Sequence, residues 1–148
     1  MAGTVTRAVV EHRSRGVVAT KIAITTDAAG VATGTVVGVG FGRLKRVLYN
    51  GGLDASATIT ISDTKSGAAL VTYVTGTEGT AVAFQPTENI TDNAGVTVAA
   101  AASAPNVMRP IFVAGKISVA VSAGGNAETA TLKLIVDESG LGDLALTV

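Results

Sequence analysis

Apolar and polar positions alternate along most of this chain with a period of two. The helical period of 3.6 is nearly absent. Residues 4–10 open with such an alternation, and a polar link follows from Glu11 to Gly16. Residues 18–26 place Ile22 and Ile24 on one face and Lys21, Ala23 and Thr25 on the other. Asp27-Ala-Ala-Gly30 then reads as a turn, since Asp starts turns and Gly accepts positive φ. Residues 31–39 read as the returning strand of a hairpin, and 41–49 as the next strand, ended by Asn50-Gly-Gly52.

The alternation is cleanest at 57–62, where Ile59 and Ile61 point in and Thr58, Thr60 and Ser62 point out. Residues 69–75 pair back after a loop at 63–67, and 80–84 form a short strand. Residues 96–102 fit either a strand or a short helix-like piece. Residues 111–121 read as a long strand with Ile117, Val119 and Val121 on one face. Gly124-Gly-Asn126 reads as a hairpin turn. Ala130, Leu132, Leu134 and Val136 then share a face, and the tail 143–148 alternates weakly. The abundant Val, Ile and Thr are β-branched and suit pleated sheets. Turn residues recur about every ten positions. The expected fold is all-β: an antiparallel β-sandwich, with a jelly roll as its natural packing, of roughly eight to ten strands. Residues 1–16 read as either an N-terminal arm or a frayed end, and 17–148 as one domain.

Composition narrows the function. The chain has 148 residues, no Cys, no Trp, one His, five aromatics and 15 % charged residues. Soluble domains usually carry about 25 % charged residues. A sparsely charged, apolar surface fits a subunit whose faces are covered by partners. Thiolate sites and disulfides are excluded. No run reaches the roughly 18 apolar residues of a spanning helix, and the N-terminus lacks a secretory pattern. We therefore expect no membrane partner.

Candidate chemistry is sparse. His12 sits in the charged link, with no Gly-x-Ser-x-Gly elbow elsewhere in the chain. Gly38-Val-Gly-Phe-Gly42 departs from the dinucleotide fingerprint, because its third glycine comes one residue early and a strand pattern follows. It reads as a bend or bulge. Asp137, Glu138 and Asp143 lack the spacing of a calcium loop, and Asn89-Ile-Thr91 is a short chance pattern. The expectation is no enzyme, no cofactor, no metal, no small-molecule substrate and no nucleic acid.

Zero net charge hides an asymmetry. Residues 1–50 hold seven basic and two acidic residues, a net +5, and the remainder is −5. Such halves suit contact between subunits, although charges placed on solvated turns give the same count. Arg43, Lys45 and Arg46 form the densest cluster; they fit either an acidic partner surface or a plain solvated face. Arg7, Arg13 and Arg15 complete the candidate partner interface.

Five stretches carry a resemblance: ITTDAAGVAT (24–33), GRLKRVLY (42–49), ATITISD (57–63), GKISVAVSAGG (115–125) and ATLKLIV (130–136). Together they resemble the jelly-roll capsid decoration, or cement, proteins of tailed bacteriophages. The resemblance is one of strand style and a Gly-Gly turn, across most of 20–137. It implies a virion protein on the outer capsid surface that stabilises contacts between capsomers of the major capsid protein. It also implies self-association as a homodimer or homotrimer. Two alternatives stay open: a phage tail or head–tail joining protein, and a carbohydrate-binding or adhesive β-sandwich.

Overall fold

A computed structural model describes residues 1–14, 16–89 and 108–139. Ten strands form: β1 (Thr4–Ser14), β2 (Val17–Thr25), β3 (Ala32–Gly51), β4 (Thr58–Asp63), β5 (Ala69–Val74), β6 (Val82–Phe84), β7 (Thr87–Asn89), β8 (Met108–Pro110), β9 (Phe112–Ser122) and β10 (Thr129–Asp137). The main ladder runs β1-β2-β10-β3-β9-β4-β5, with β6 also on β3. Strands β7 and β8 pair separately.

The 20-residue strand β3 makes this ladder a two-layer sandwich. Its N-terminal half pairs with β9 from Ala32↔Val121 onward, and its C-terminal half pairs with β10 up to Gly51↔Ala130. One layer is therefore β2-β10-β3-β6, and the other is β3-β9-β4-β5. Chain-successive β2 and the N-terminal half of β3, β5 and β6, and β9 and β10 lie in opposite layers. This is the strand order of a jelly roll. Strands that change layer do so at bulges or bends. Here the pairing of β3 slips between Val37 and Phe41, where Gly38 and Gly40 adopt positive φ of 74° and 98°. The glycine run is thus a sheet corner, as expected.

The alternation sorts the side chains as read. Ile22, Ile24, Leu132, Leu134 and Val136 from one layer meet Ile59, Ile61, Ile117, Val119 and Val121 from the other in one buried core. Fully burying each such side chain contributes about 1.5–3 kcal/mol. At the open side, Tyr73 on β5 lies 5.2 Å from Phe84 on β6 and 5.5 Å from the buried Tyr49. This aromatic trio closes the gap between the layers.

The expected strand connections are corrected. Segments 18–26 and 31–39 are not hairpin partners, because β10 lies between β2 and that part of the ladder. Likewise β9 and β10 are separated by β3. The two turns join opposite layers and bond to each other instead: Gly124 N–H donates to the Gly30 carbonyl at 2.8 Å, and Ala127 N–H to that of Asp27 at 3.1 Å. Thr26 Oγ1 donates to the Gly125 carbonyl at 2.7 Å. Segments 31–39 and 41–49 are one bent strand rather than two. The segment read as an arm, 1–16, contains β1, paired along β2 from Thr4↔Thr25 to Ser14↔Val17. Its Val5 is buried in the core, which ties it to the sheet. Residues 96–102 and 143–148 lie outside the described residues.

Candidate interaction surface

Three large apolar side chains stand exposed beside the corner of β3. Val37, Phe41 and Phe112 are 53 %, 51 % and 56 % exposed. Phe41 pairs with Ala114, and Arg43 with Phe112, so these four residues share the outer face of adjacent strands. The Arg43 guanidinium lies 6.0 Å from the Phe112 ring centroid, at the outer limit of a cation–π contact. At the other end of the cluster, Arg7 donates from Nη1 to the Val37 carbonyl at 3.2 Å. Lys116 sits opposite Val37. The Phe41 N–H, turned outward by the bend, donates to Glu138 Oε2 at 2.9 Å.

The basic cluster on β3 owes its shape to a second irregularity. Pairing slips between Ile135 and Val136, which face Arg46 and Leu44. Lys45 is the extra residue, so Arg43, Lys45 and Arg46 are all exposed while Leu44 and Val47 stay buried. A bulge of this kind re-aims side chains. The cationic face continues across the layer. Lys133 pairs with Lys21 on β2 and with Leu48 on β3. Both lysines border an open hollow of about 370 Å³ that Asn50, Val82 and Thr131 also line.

Asp137 lies opposite Arg43 and sits below the usual carboxylate range. The main cause is the Ser139 hydroxyl donating to it, then the Ser139 N–H, with the nearby Lys45 and Arg43 charges adding to the effect. The outer face of β2, β10 and the second half of β3 therefore carries Lys21, Arg43, Lys45, Arg46 and Lys133 against Asp137. It is cationic and borders the aromatic cluster directly.

Of the six candidate interface residues, Arg7 and Arg43 flank the aromatic cluster, and Lys45 and Arg46 extend it along β3. Arg13 is on β1 opposite Val18, and Arg15 lies outside the described residues. Sequence reasoning missed Phe112, Lys21 and Lys133 as members. All three were readable from strict alternation, because each sits between two buried neighbours: Ile111 and Val113, Thr20 and Ile22, Leu132 and Leu134. Phe41 likewise sits between the buried Gly40 and Gly42, with even-numbered residues inward on both sides of the bend.

The remaining aromatics serve packing. Tyr49 is buried, and Tyr73 and Phe84 pack against the core, so they stack on each other rather than form an open platform. Burial pushes the Tyr49 phenol above its ordinary value. Among the described residues, no group of three or more His, Cys, Asp or Glu could hold a metal ion. Asp143 lies outside them.

No protein-family model matches the chain, and no curated protein matches it in sequence. Two solved structures share a distant likeness. A Shewanella oneidensis protein solved by X-ray crystallography is 13 % identical with a TM-score of 0.27; the match covers 90 % of this chain and 66 % of that protein's length. The virus-like particle of the extra small virus of the giant freshwater prawn Macrobrachium rosenbergii is 14 % identical with a TM-score of 0.28, covering 86 % of this chain and 84 % of that one.

Proposed function

We propose that the chain is a structural subunit of a tailed-bacteriophage virion. It binds the outer surface of the capsid and holds neighbouring capsomers of the major capsid protein together, as a cement or decoration protein. The observation that carries this reading is the surface at the β3 corner, where two phenylalanines more than half exposed border a cationic face. Solvated surfaces rarely keep large aromatics exposed beside arginine, whereas binding surfaces are enriched in both. The strand resemblance noted above supplies the class of partner.

The mechanism is mechanical rather than catalytic. An acidic partner surface is steered onto Lys21, Arg43, Lys45, Arg46 and Lys133, which raises the association rate. Phe41 and Phe112 then bury their rings, with Arg43 held over one of them. The contacts sit on hydrogen-bonded strands, so little ordering entropy is lost on docking. A homodimer or homotrimer repeats the contact, and each engaged subunit raises the local concentration of the next site. No cofactor, substrate or nucleic acid takes part.

An image of the particle at moderate resolution tests the reading. Density for the subunit on the outer shell at two-fold or three-fold positions supports it. Density confined to the tail or the head–tail joint overturns it in favour of a joining protein.

A further inference from the structure

Two lysines meet on the outer face of β2 and β10, where Lys21 and Lys133 pair directly. Thr26 N–H donates to the Glu128 carbonyl at 2.9 Å. This bond fixes which pairs of the ladder exchange hydrogen bonds, since bonded and non-bonded pairs alternate between antiparallel strands. Ile24–Ala130 and Ile22–Leu132 are bonded pairs, and Lys21–Lys133 is a non-bonded one. Non-bonded pairs are the closer kind, with Cα atoms about 4.5 Å apart and side chains nearest each other. Like charges set directly opposite in a sheet are destabilising. An anion seated between the two ammonium groups turns that repulsion into attraction.

The pair borders the hollow of about 370 Å³, which has a polar and an apolar side. Thr131 and Asn50 pair with each other two residues along the strands and add a hydroxyl and an amide. Leu48 pairs with Lys133, and Ala83 pairs with Leu48, so the same row ends in an apolar wall. Lys21, Lys133 and Leu48 are half-buried. The volume lies near the lower end of the roughly 300–1,000 Å³ of small-molecule sites, which is more room than a bare ion fills.

We propose that this hollow is a socket for one glutamate side chain of the acidic partner surface. Its partner rests on the capsid-binding reading above; its chemistry rests on the hollow alone. A carboxylate has about four lone-pair sites, and the two ammonium groups, the Thr131 hydroxyl and the Asn50 amide supply four donor groups around one space. Leu48 and Ala83 select glutamate over a free phosphate or sulfate. A methylene stem covers that wall, whereas a small anion hydrated on all sides leaves it bare. The cations on β3 then steer the partner, and the lysine pair fixes one of its residues in place.

Titration of the isotope-labelled full chain with N-acetyl-glutamate amide, followed by amide NMR shifts, tests the socket. N-acetyl-glutamine amide is the control of equal shape without the charge, and inorganic phosphate is the control of charge without the stem. The glutamate probe is expected to shift the amides of Lys21, Asn50, Thr131 and Lys133 saturably, at least tenfold more tightly than either control. Lys21→Met with Lys133→Met keeps both stems and loses that binding at least tenfold, with circular dichroism confirming the fold; the comparison of probes on wild type stands without any variant. No shift with the glutamate probe overturns the proposal. So does equal binding of the glutamine probe or of phosphate, a shift confined to residues 43–46, or a folded double variant that binds as well as wild type. On capsid shells the double variant is expected to bind at least tenfold more weakly. Full-strength binding to shells by that variant overturns the socket and leaves the proposed function standing. A wild type that binds the glutamate probe in the hollow but not shells overturns the proposed function and supports the socket chemistry.

Discussion

Gly40→Ala measures how much the fold depends on the corner of β3. Gly40 has φ of +98°, and a Cβ built there meets the Val136 Cβ and Cγ1 and the Val18 Cβ, all at 3.2 Å. Two costs add. An L-residue in this backbone region loses about 1–2 kcal/mol. Forcing a methyl group between two buried valines from β10 and β2 costs about 1–3 kcal/mol. The sum is about 3 kcal/mol, which lowers the melting temperature by about 10 °C for a domain of this size. Gly115→Ala separates the two terms. Its φ is +78°, but nothing lies within 4 Å of the added Cβ. It should lose only the backbone term, about 1 kcal/mol or about 3 °C. Calorimetry or urea unfolding of both variants gives the comparison. Equal losses in the two, or a Gly40→Ala melting point within about 2 °C of wild type, would refute a tightly packed corner.

Thr20 is fully buried, and no hydrogen-bond partner reaches its Oγ1 among the described residues. Thr20→Val removes an unpaired buried hydroxyl and should raise stability by about 1 kcal/mol, read as a higher urea midpoint at unchanged slope; a loss of stability would show that the hydroxyl is satisfied. Asp63 and Asp137 both titrate below the usual carboxylate range, chiefly through donation to Asp63 from the Ser66 N–H and to Asp137 from the Ser139 hydroxyl. A depressed carboxylate stabilises the fold above its unfolded pKa of about 3.9, and that contribution is lost as pH falls through the folded value. Unfolding midpoints should therefore drop below about pH 4, and less steeply in the double variant Asp63→Asn, Asp137→Asn; parallel pH curves would contradict this. Phe41→Ser with Phe112→Ser should leave stability within about 0.5 kcal/mol of wild type, because both rings already face solvent. A melting point lowered by several degrees would show that they pack onto the fold.

Period-two patterning carries far in this protein because each layer buries one face. Every inward residue read at 22–24, 59–61, 117–121 and 130–136 is buried. Turn chemistry located the reversals equally well: Asp27 accepts from the N–H groups of Ala29 and Val31 at 2.9 Å, and Asp63 from that of Ser66 at 2.8 Å. What a turn cannot state is which layer the chain enters next. Asp27-Ala-Ala-Gly30 has the residues of a hairpin, yet its strands part to opposite sheets. The reason is non-local, since β10 fills the place beside β2 from a hundred residues further along. The bend of β3 was legible in kind, from its glycines, but its consequence was not. The register lost after Val37 leaves even-numbered residues inward, from Val36 to Gly40, Gly42 and Leu44, whereas the extra residue Lys45 passes the inward side to Val47 and Tyr49 and lines up three cations.

The Phe41–Phe112 corner and its cationic border are the proposed docking surface for an assembled shell. Co-sedimentation with capsid shells that lack the subunit, against soluble major capsid protein as control, tests it most directly. Wild type is expected to pellet with shells but not to bind free capsid protein. Phe41→Ser with Phe112→Ser is expected to stay in the supernatant, and added salt to weaken binding through the cationic border. Wild type left in the supernatant at low salt, or a double variant that pellets as fully as wild type, would contradict it.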